Sequence, residues 1–208
     1  MLKLFTIFIV VGLVNSNKME VDKVFVENEI VPDVIDVAPK EIVEVSYPSG
    51  AKVNLGKELT PTQVKDIPEV KWRSESDALY TLLMTDPDAP TRSNATFREV
   101  RHWLVVNIPG NDISKGNTLF EYIGSGPPKD TGLHRYVFLV FKQKKAIETD
   151  NLPVTSNKSR EGRLKSKARE LIEKFELQDV IAGNFYQAQF DDYVPILHAQ
   201  LGGAPPKP

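Results

Sequence analysis

Three short apolar runs constrain this chain more than any other feature: Leu79 to Thr85, Trp103 to Ile108 and Tyr136 to Phe141. Each is rich in β-branched and aromatic residues and is bounded by Pro or Gly, which predicts strands buried on both faces rather than helices. Upstream, Val43, Val45 and Tyr47 alternate with Glu44 and Ser46, Pro48-Ser49-Gly50 signals a turn, and Ala51, Val53 and Leu55 alternate with Lys52 and Asn54. That pattern reads as a half-buried hairpin. Tyr186, Ala188 and Phe190, alternating with Gln187 and Gln189, predict one more half-buried strand. The strong helical pattern is Leu164, Ala168, Leu171, Ile172 and Phe175, whose steps of three and four residues share a face. Glu170 and Glu173 interrupt its basic charge, so it reads as a helix packed on a sheet and not as a membrane-surface element. A shorter helix begins near Pro195 and runs to Leu201, where Gly202-Gly203 stops it. The expected fold class is mainly β: a two-sheet antiparallel β-sandwich with one or two C-terminal helices.

Composition narrows the function. Against 26 Lys and Arg stand 28 Asp and Glu, a net charge of -2, which excludes a nucleic-acid binder working through a basic surface. Cysteine is absent, which excludes thiol catalysis, Cys-ligated zinc and iron–sulfur chemistry. Lys3, the apolar run Leu4 to Val14 and the modest residues Val14-Asn15-Ser16 read as a signal peptide cleaved after Ser16. That run falls well short of the roughly 20 residues needed to span a bilayer, so the chain is expected to be secreted, without an integral membrane span. Translation from Met19 would give a cytoplasmic form. The expected organisation is a signal peptide over 1–16, an N-terminal arm over 17–40 punctuated by Pro32 and Pro39, one domain over 41–201, and a Pro-rich tail over 202–208. A monomer is expected.

Chemistry gathers at the ends of the apolar runs. Asp86-Pro87-Asp88-Ala89-Pro90 follows directly on Thr85, and prolines pin such a segment as a rigid loop, where binding groups are usually placed. His102 opens the second run and His134 lies two residues before the third, so the three side chains converge if their strands are neighbours. Between them, Gly124-Ser125-Gly126-Pro127-Pro128 can turn backbone N–H groups into a small space and attract an anion. It lacks the spacing of a P-loop. Asp and His are suitable zinc or iron ligands, yet no H-E-x-x-H or i, i+4 His pair appears, and no G-x-S-x-G elbow marks a serine hydrolase. No metal, cofactor or enzymatic activity is expected. His198 reads as helix packing. Asn94-Ala95-Thr96 and Asn157-Lys158-Ser159 are glycosylation acceptors in an exported chain, and a glycan on Asn94 would stand near the Asp-Pro loop.

Taken in order, Asp86-Pro87-Asp88-Ala89-Pro90-x-Arg92, His102-Trp103-Leu104-Val105-Val106-Asn107, Gly124-Ser125-Gly126-Pro127-Pro128, Gly132-Leu133-His134-Arg135-Tyr136 and Asp191-Asp192-Tyr193-Val194-Pro195 closely resemble the phosphatidylethanolamine-binding protein family. The likeness extends over roughly residues 25–200 and includes Leu59-Thr60-Pro61-Thr62-Gln63-Val64. It implies a central sheet sandwiched with a smaller one, and a cavity for phosphate, phospholipid headgroups or simple carboxylates lined by Asp86, Ala89, Pro90, His102, Ile123, Gly124, Gly126, His134, Tyr136 and Tyr193. In that picture His102 and His134 donate N–H groups to the anion, Gly126 adds a backbone N–H, Tyr136 and Tyr193 offer hydroxyls and ring walls, and Asp86 orients or charges an imidazole. Affinity for phosphate should then rise as pH falls through the imidazole range of about 6–7. The resemblance also implies binding and regulation, including inhibition of a protease or kinase, rather than catalysis. Many animal members carry a Trp and a His where Val100 and Arg101 stand here, so Arg101 is expected to add a cation near the entrance and favour anions over zwitterions.

Overall fold

The computed structural model describes residues 21–203, so the signal peptide, its cleavage after Ser16, the start at Met19 and the last five residues lie outside the described residues. The chain runs as helix α1 (described over residues 21–27), the short turn α2 (Ile30–Asp33), strands β1 (Glu41–Ile42), β2 (Glu44–Ser46), β3 (Glu69–Lys71), β4 (Leu79–Asp86), β5 (Val100–Pro109), β6 (Asn117–Phe120) and β7 (His134–Lys142), helix α3 (Ala168–Lys174), strand β8 (Val180–Ala188) and helix α4 (Val194–Gln200). Six strands form one sheet in the order β1-β8-β7-β4-β5-β6, and β2 pairs with β3 in a second, two-stranded sheet.

The three apolar runs are the adjacent central strands β7, β4 and β5, each antiparallel to its neighbour. Their period of two divides the core. Leu82, Met84, Val105, Phe138 and Val140 face the small sheet with Val45, Val53 and Val70. Leu83, Leu104, Val106, Leu139 and Phe141 face the opposite way, where Phe25, Ile30 and Val34 of the arm and Leu171 of α3 cover them. With apolar layers on both sides, neither face of a central strand needs polar residues.

The expectation of a two-sheet antiparallel sandwich needs correction. The large sheet is mixed, because β1 runs parallel to β8 (Glu41 opposite Ala182, Ile42 opposite Gly183), and much of its second face is covered by helix and arm instead of a full sheet. Gly183 permits this approach: a Cβ there would lie 2.8 Å from Pro39 Cγ and 2.9 Å from Phe25 Cζ. The hairpin also differs. Tyr47 N–H donates to Ala51 O and Val53 N–H to Val45 O across the expected turn, but the regular partner of β2 is β3, with Val45 opposite Val70. Strand β8 is longer and more buried than the alternation around Tyr186 implied, and Phe190 lies beyond it. Helix α4 spans seven residues with Pro195 in its first turn, and α3 is confined to Ala168–Lys174, leaving Leu164 in the preceding loop.

Behind β4 and β5 a buried carboxyl joins sheet to helix. Glu99 Oε1 accepts the Ala168 N–H at the start of α3 (3.1 Å), Oε2 lies 3.0 Å from Thr85 Oγ1, and the Thr85 hydroxyl is 3.2 Å from Val100 O. Burial pushes the Glu99 pKa up to about 7, against the hydrogen bonds from Ala168 and Thr85. In the protonated form Glu99 donates to Thr85, which donates to the carbonyl, and every group is satisfied. The raised pKa means that the folded state binds the proton more tightly than the unfolded chain, so Glu99 costs stability progressively as pH rises from about 4.5 through about 7. Glu99→Gln keeps both bonds without titrating. Denaturant unfolding from pH 5 to 8 should therefore show wild type losing stability relative to Glu99→Gln as pH rises; a constant difference would contradict a protonated Glu99.

Candidate functional site

The sheet order brings the expected groups together. Asp86 ends β4 and His134 begins β7, and because these strands are antiparallel neighbours the end of one lies beside the start of the other. His102, near the start of β5, comes from the strand on the other side of β4. Together they floor a cavity of about 80 Å³, the room of a few waters or one small polar group. Eight of the ten residues expected at the site line it: Asp86, Ala89, Pro90, His102, Ile123, Gly126, His134 and Tyr136. Gly124 and Tyr193 do not. They line a neighbouring cavity of about 650 Å³ with Lys65, Asp66 and Trp103, and the two spaces share Ile123 and Leu197 as a wall.

The Asp-Pro loop is rigid for electrostatic reasons. Asp88, fully buried, accepts from Arg135 N (2.9 Å), Nε (2.8 Å) and Nη2 (2.6 Å), and Arg135 reaches on to Asp33 Oδ2 (2.7 Å) and Asn28 O (2.6 Å) of the arm. A buried guanidinium with two carboxylates and matched donors locks loop, strand and arm into one geometry. Ala89–Pro90 is cis.

The two imidazoles differ in protonation. His134 Nδ1 lies 3.0 Å from Asp86 Oδ2, and Nε2 lies 3.0 Å from Thr131 Oγ1. The Thr131 hydroxyl donates its one hydrogen to Pro128 O at 2.7 Å, so toward Nε2 it accepts. Both nitrogens of His134 therefore carry hydrogen, and the ring is an imidazolium. Burial alone would lower its pKa, but the charge and hydrogen bond of Asp86, with Asp88 behind, hold it above the ordinary histidine value. The same partnership keeps Asp86 below the usual carboxylate range despite full burial.

His102 is the opposite case. Its Nδ1 lies 3.1 Å from both Ile123 O and Gly124 O, which only accept, so Nδ1 carries the hydrogen. Burial pushes its pKa down to about 4, with Arg163 adding to the effect. The ring is neutral and Nε2 is an acceptor. The expectation that both histidines donate to an anion is thus corrected: His102 offers a lone pair, and His134 offers charge while its N–H groups are engaged. The ring of Tyr136 meets His102 edge-on (centroids 5.1 Å apart) and stacks on His134 (6.5 Å), fixing both planes.

Over this polar floor the walls are apolar, with Phe97, Val100, Pro128, Leu164, Leu197 and Leu201. Helix α4 closes one side, and Gly126 allows its approach: a Cβ there would lie 2.9 Å from Leu197 Cδ2. His198, assigned to helix packing, also lines the cavity, and its Nε2 lies 2.9 Å from Gly126 O. Two further groups, Arg160 and Arg163, line it without having been foreseen. Each stands in a charged loop where an arginine reads as solvated, so no local pattern marks it.

A family model described as phosphatidylethanolamine-binding protein matches residues 49–186. The chain belongs to the phosphatidylethanolamine-binding protein family. It is 36% identical over 200 residues, 96% of this chain and 95% of the relative, to a Drosophila melanogaster protein with the provisional name odorant-binding protein A5. Among solved structures, the CG7054 solution structure is 51% identical, covers 83% of this chain and 97% of its own, and superposes with a TM-score of 0.68. A carboxypeptidase Y inhibitor, solved in complex with its cognate proteinase, is 27% identical over 84% of this chain and 97% of its own, with a TM-score of 0.72.

In this phosphatidylethanolamine-binding protein family member, the two residues expected at the entrance part company. Val100 lines the cavity. Arg101, next in the strand, points to the other face, where its guanidinium lies 4.7 Å from the Phe120 ring centroid. It adds no cation to the mouth. Of the two glycosylation acceptors, Asn94 is exposed in the loop after the Asp-Pro segment, and Asn157 sits at the rim of the larger cavity, its carbonyl accepting from Gln200 Nε2.

Because Asp88 is the main counter-charge of buried Arg135, Asp88→Asn should cost about 3 kcal/mol in urea unfolding, the cost of leaving a buried cation underpaired. Asp33→Asn, at the exposed end of the network, should cost less than half as much. Equal losses would show that the buried carboxylate is not the anchor.

Proposed function

We propose that this chain is a non-enzymatic binding protein that takes a phosphate-containing anion or a phosphatidylethanolamine-like headgroup in the Asp86–His102–His134 cavity, in a regulatory or signalling role. The observation that carries this reading is the placement of His134 between Asp86 and Thr131 in a small apolar-walled cavity, which favours its imidazolium form. Its charge is balanced by Asp86 within the floor, so the sign of the remaining field is set by the arginines nearby. A headgroup that also donates a hydrogen bond finds an acceptor in His102 Nε2. Binding fits better than catalysis, because Asp86 spends its charge on His134 and is not left as a base. The apolar run read as a signal peptide ending at Ser16 supports placing this activity outside the cell, where Asn94 and Asn157 would be glycosylation acceptors.

Burial holds His198, which also lines the cavity, below the ordinary histidine value, so the loss of affinity with rising pH follows from His134. Its protonated form persists above the ordinary histidine pKa, while His102 stays neutral down to about 4. Sulfate, whose own charge does not change across neutral pH, is the suitable probe. Its affinity should be high at pH 6 and fall about tenfold, some 1.4 kcal/mol, as pH rises through the raised His134 pKa. His134→Asn should bind weakly and without this dependence. An affinity flat with pH in wild type would overturn the reading.

A second reading, inhibition of a protease or kinase through loops around the same mouth, draws support from the likeness to the carboxypeptidase Y inhibitor. A protein partner whose binding survives His134→Ala would favour it.

A further inference from the structure

The cavity holds a surplus of positive charge that its own carboxylate does not balance. Asp86 is paired with His134. Arg163 is almost wholly buried and lies beside the cavity with no carboxylate within salt-bridge distance among the described residues. Its donors are all spent: Nε on Ser159 O, Nη1 on Arg101 O and His102 O, Nη2 on Glu121 O and Ser156 O. It contributes charge but no free N–H.

Arg160 is different. It too lines the cavity without an ion-pair partner among the described residues, but only two of its bonds are made: Nη1 to Leu201 O (2.7 Å) and Nη2 to His198 O (3.4 Å). A guanidinium has five N–H groups, so three remain. Both acceptors lie at the C-terminal end of α4, Leu201 just beyond the helix and His198, whose carbonyl also accepts the Gly203 N–H, in its last turn, and they hold the guanidinium plane in place before any ligand arrives.

We infer that Arg160 is the anion-recognising residue of this cavity, receiving the oxygens of a phosphate or carboxylate whose short apolar substituent lies against Phe97, Val100 and Leu201. The inference rests on the reading of the cavity as an anion site and adds what selects the anion. An oxyanion there supplies the counter-charge that Arg160 and Arg163 lack, and the fork of Arg160 matches it with paired donors. Because the same guanidinium holds the end of α4, binding should also steady that helix.

Chemical-shift titrations of the full chain with butyl phosphate, inorganic phosphate and 1-butanol, on wild type, Arg160→Gln and Arg160→Lys, test this. Arg160→Gln should lose affinity for butyl phosphate and for inorganic phosphate by about 10- to 100-fold. It should bind 1-butanol as wild type does, since the apolar wall remains. Arg160→Lys should recover part of the phosphate affinity. Unchanged phosphate affinity in Arg160→Gln, or an equal loss of phosphate and alcohol, would reduce Arg160 to a brace for α4 and overturn the inference alone. Wild type that binds neither phosphate would overturn the cavity reading and the inference together.

Discussion

The buried ion network of Asp88, Arg135 and Asp33 is the constraint on which the rest of the site depends. Arg135 follows His134 directly, and its backbone N–H, Nε and Nη2 reach Asp88, two residues after Asp86. That lock fixes the end of β4 against the start of β7 and so sets Asp86 at hydrogen-bond distance from His134. The arm is held by the same guanidinium through Asp33 and Asn28. A hydrophobic core alone specifies such a position loosely, whereas a fork-shaped cation with two carboxylates specifies it to within a hydrogen bond. Breaking the buried end leaves a charge in low dielectric, which is why the network resists partial loss.

From this anchor follows an asymmetric floor. Two histidines that look equivalent in sequence take opposite protonation states because their neighbours differ. Beside His134 stand a carboxylate and a hydroxyl whose hydrogen is already committed. Beside His102 stand two backbone carbonyls and the charge of Arg163. One ring supplies charge and the other a lone pair, which is the pairing that the proposed ligand, anionic and able to donate a hydrogen bond, requires. The apolar walls above then favour such a head when it carries a small carbon substituent.

Much of this was legible in the sequence. The two-faced burial of β4, β5 and β7 could be read because a central strand between two apolar layers shows as an unbroken hydrophobic run. Their neighbouring placement made the convergence of Asp86, His102 and His134 a natural consequence. What was not legible has physical reasons. Strands β1, β3 and β6 span two to four residues, too few for a period to register, and the parallel pairing of β1 with β8 depends on contacts between residues far apart in the chain. Arg101 adjoins His102 in the chain, but strand alternation sends it to the opposite face, over Phe120. Arg160 and His198 reach the cavity from a loop and a short helix whose docking no local pattern encodes.

The most direct test of this account is the imidazole nitrogen spectrum of the three histidines at pH 7, recorded with and without phosphate. His134 should show two protonated nitrogens and His102 a neutral ring with hydrogen on Nδ1, and both should shift when phosphate is added. A neutral His134, or a protonated His102, would contradict the protonation pattern, and resonances indifferent to phosphate would contradict the cavity as an anion site.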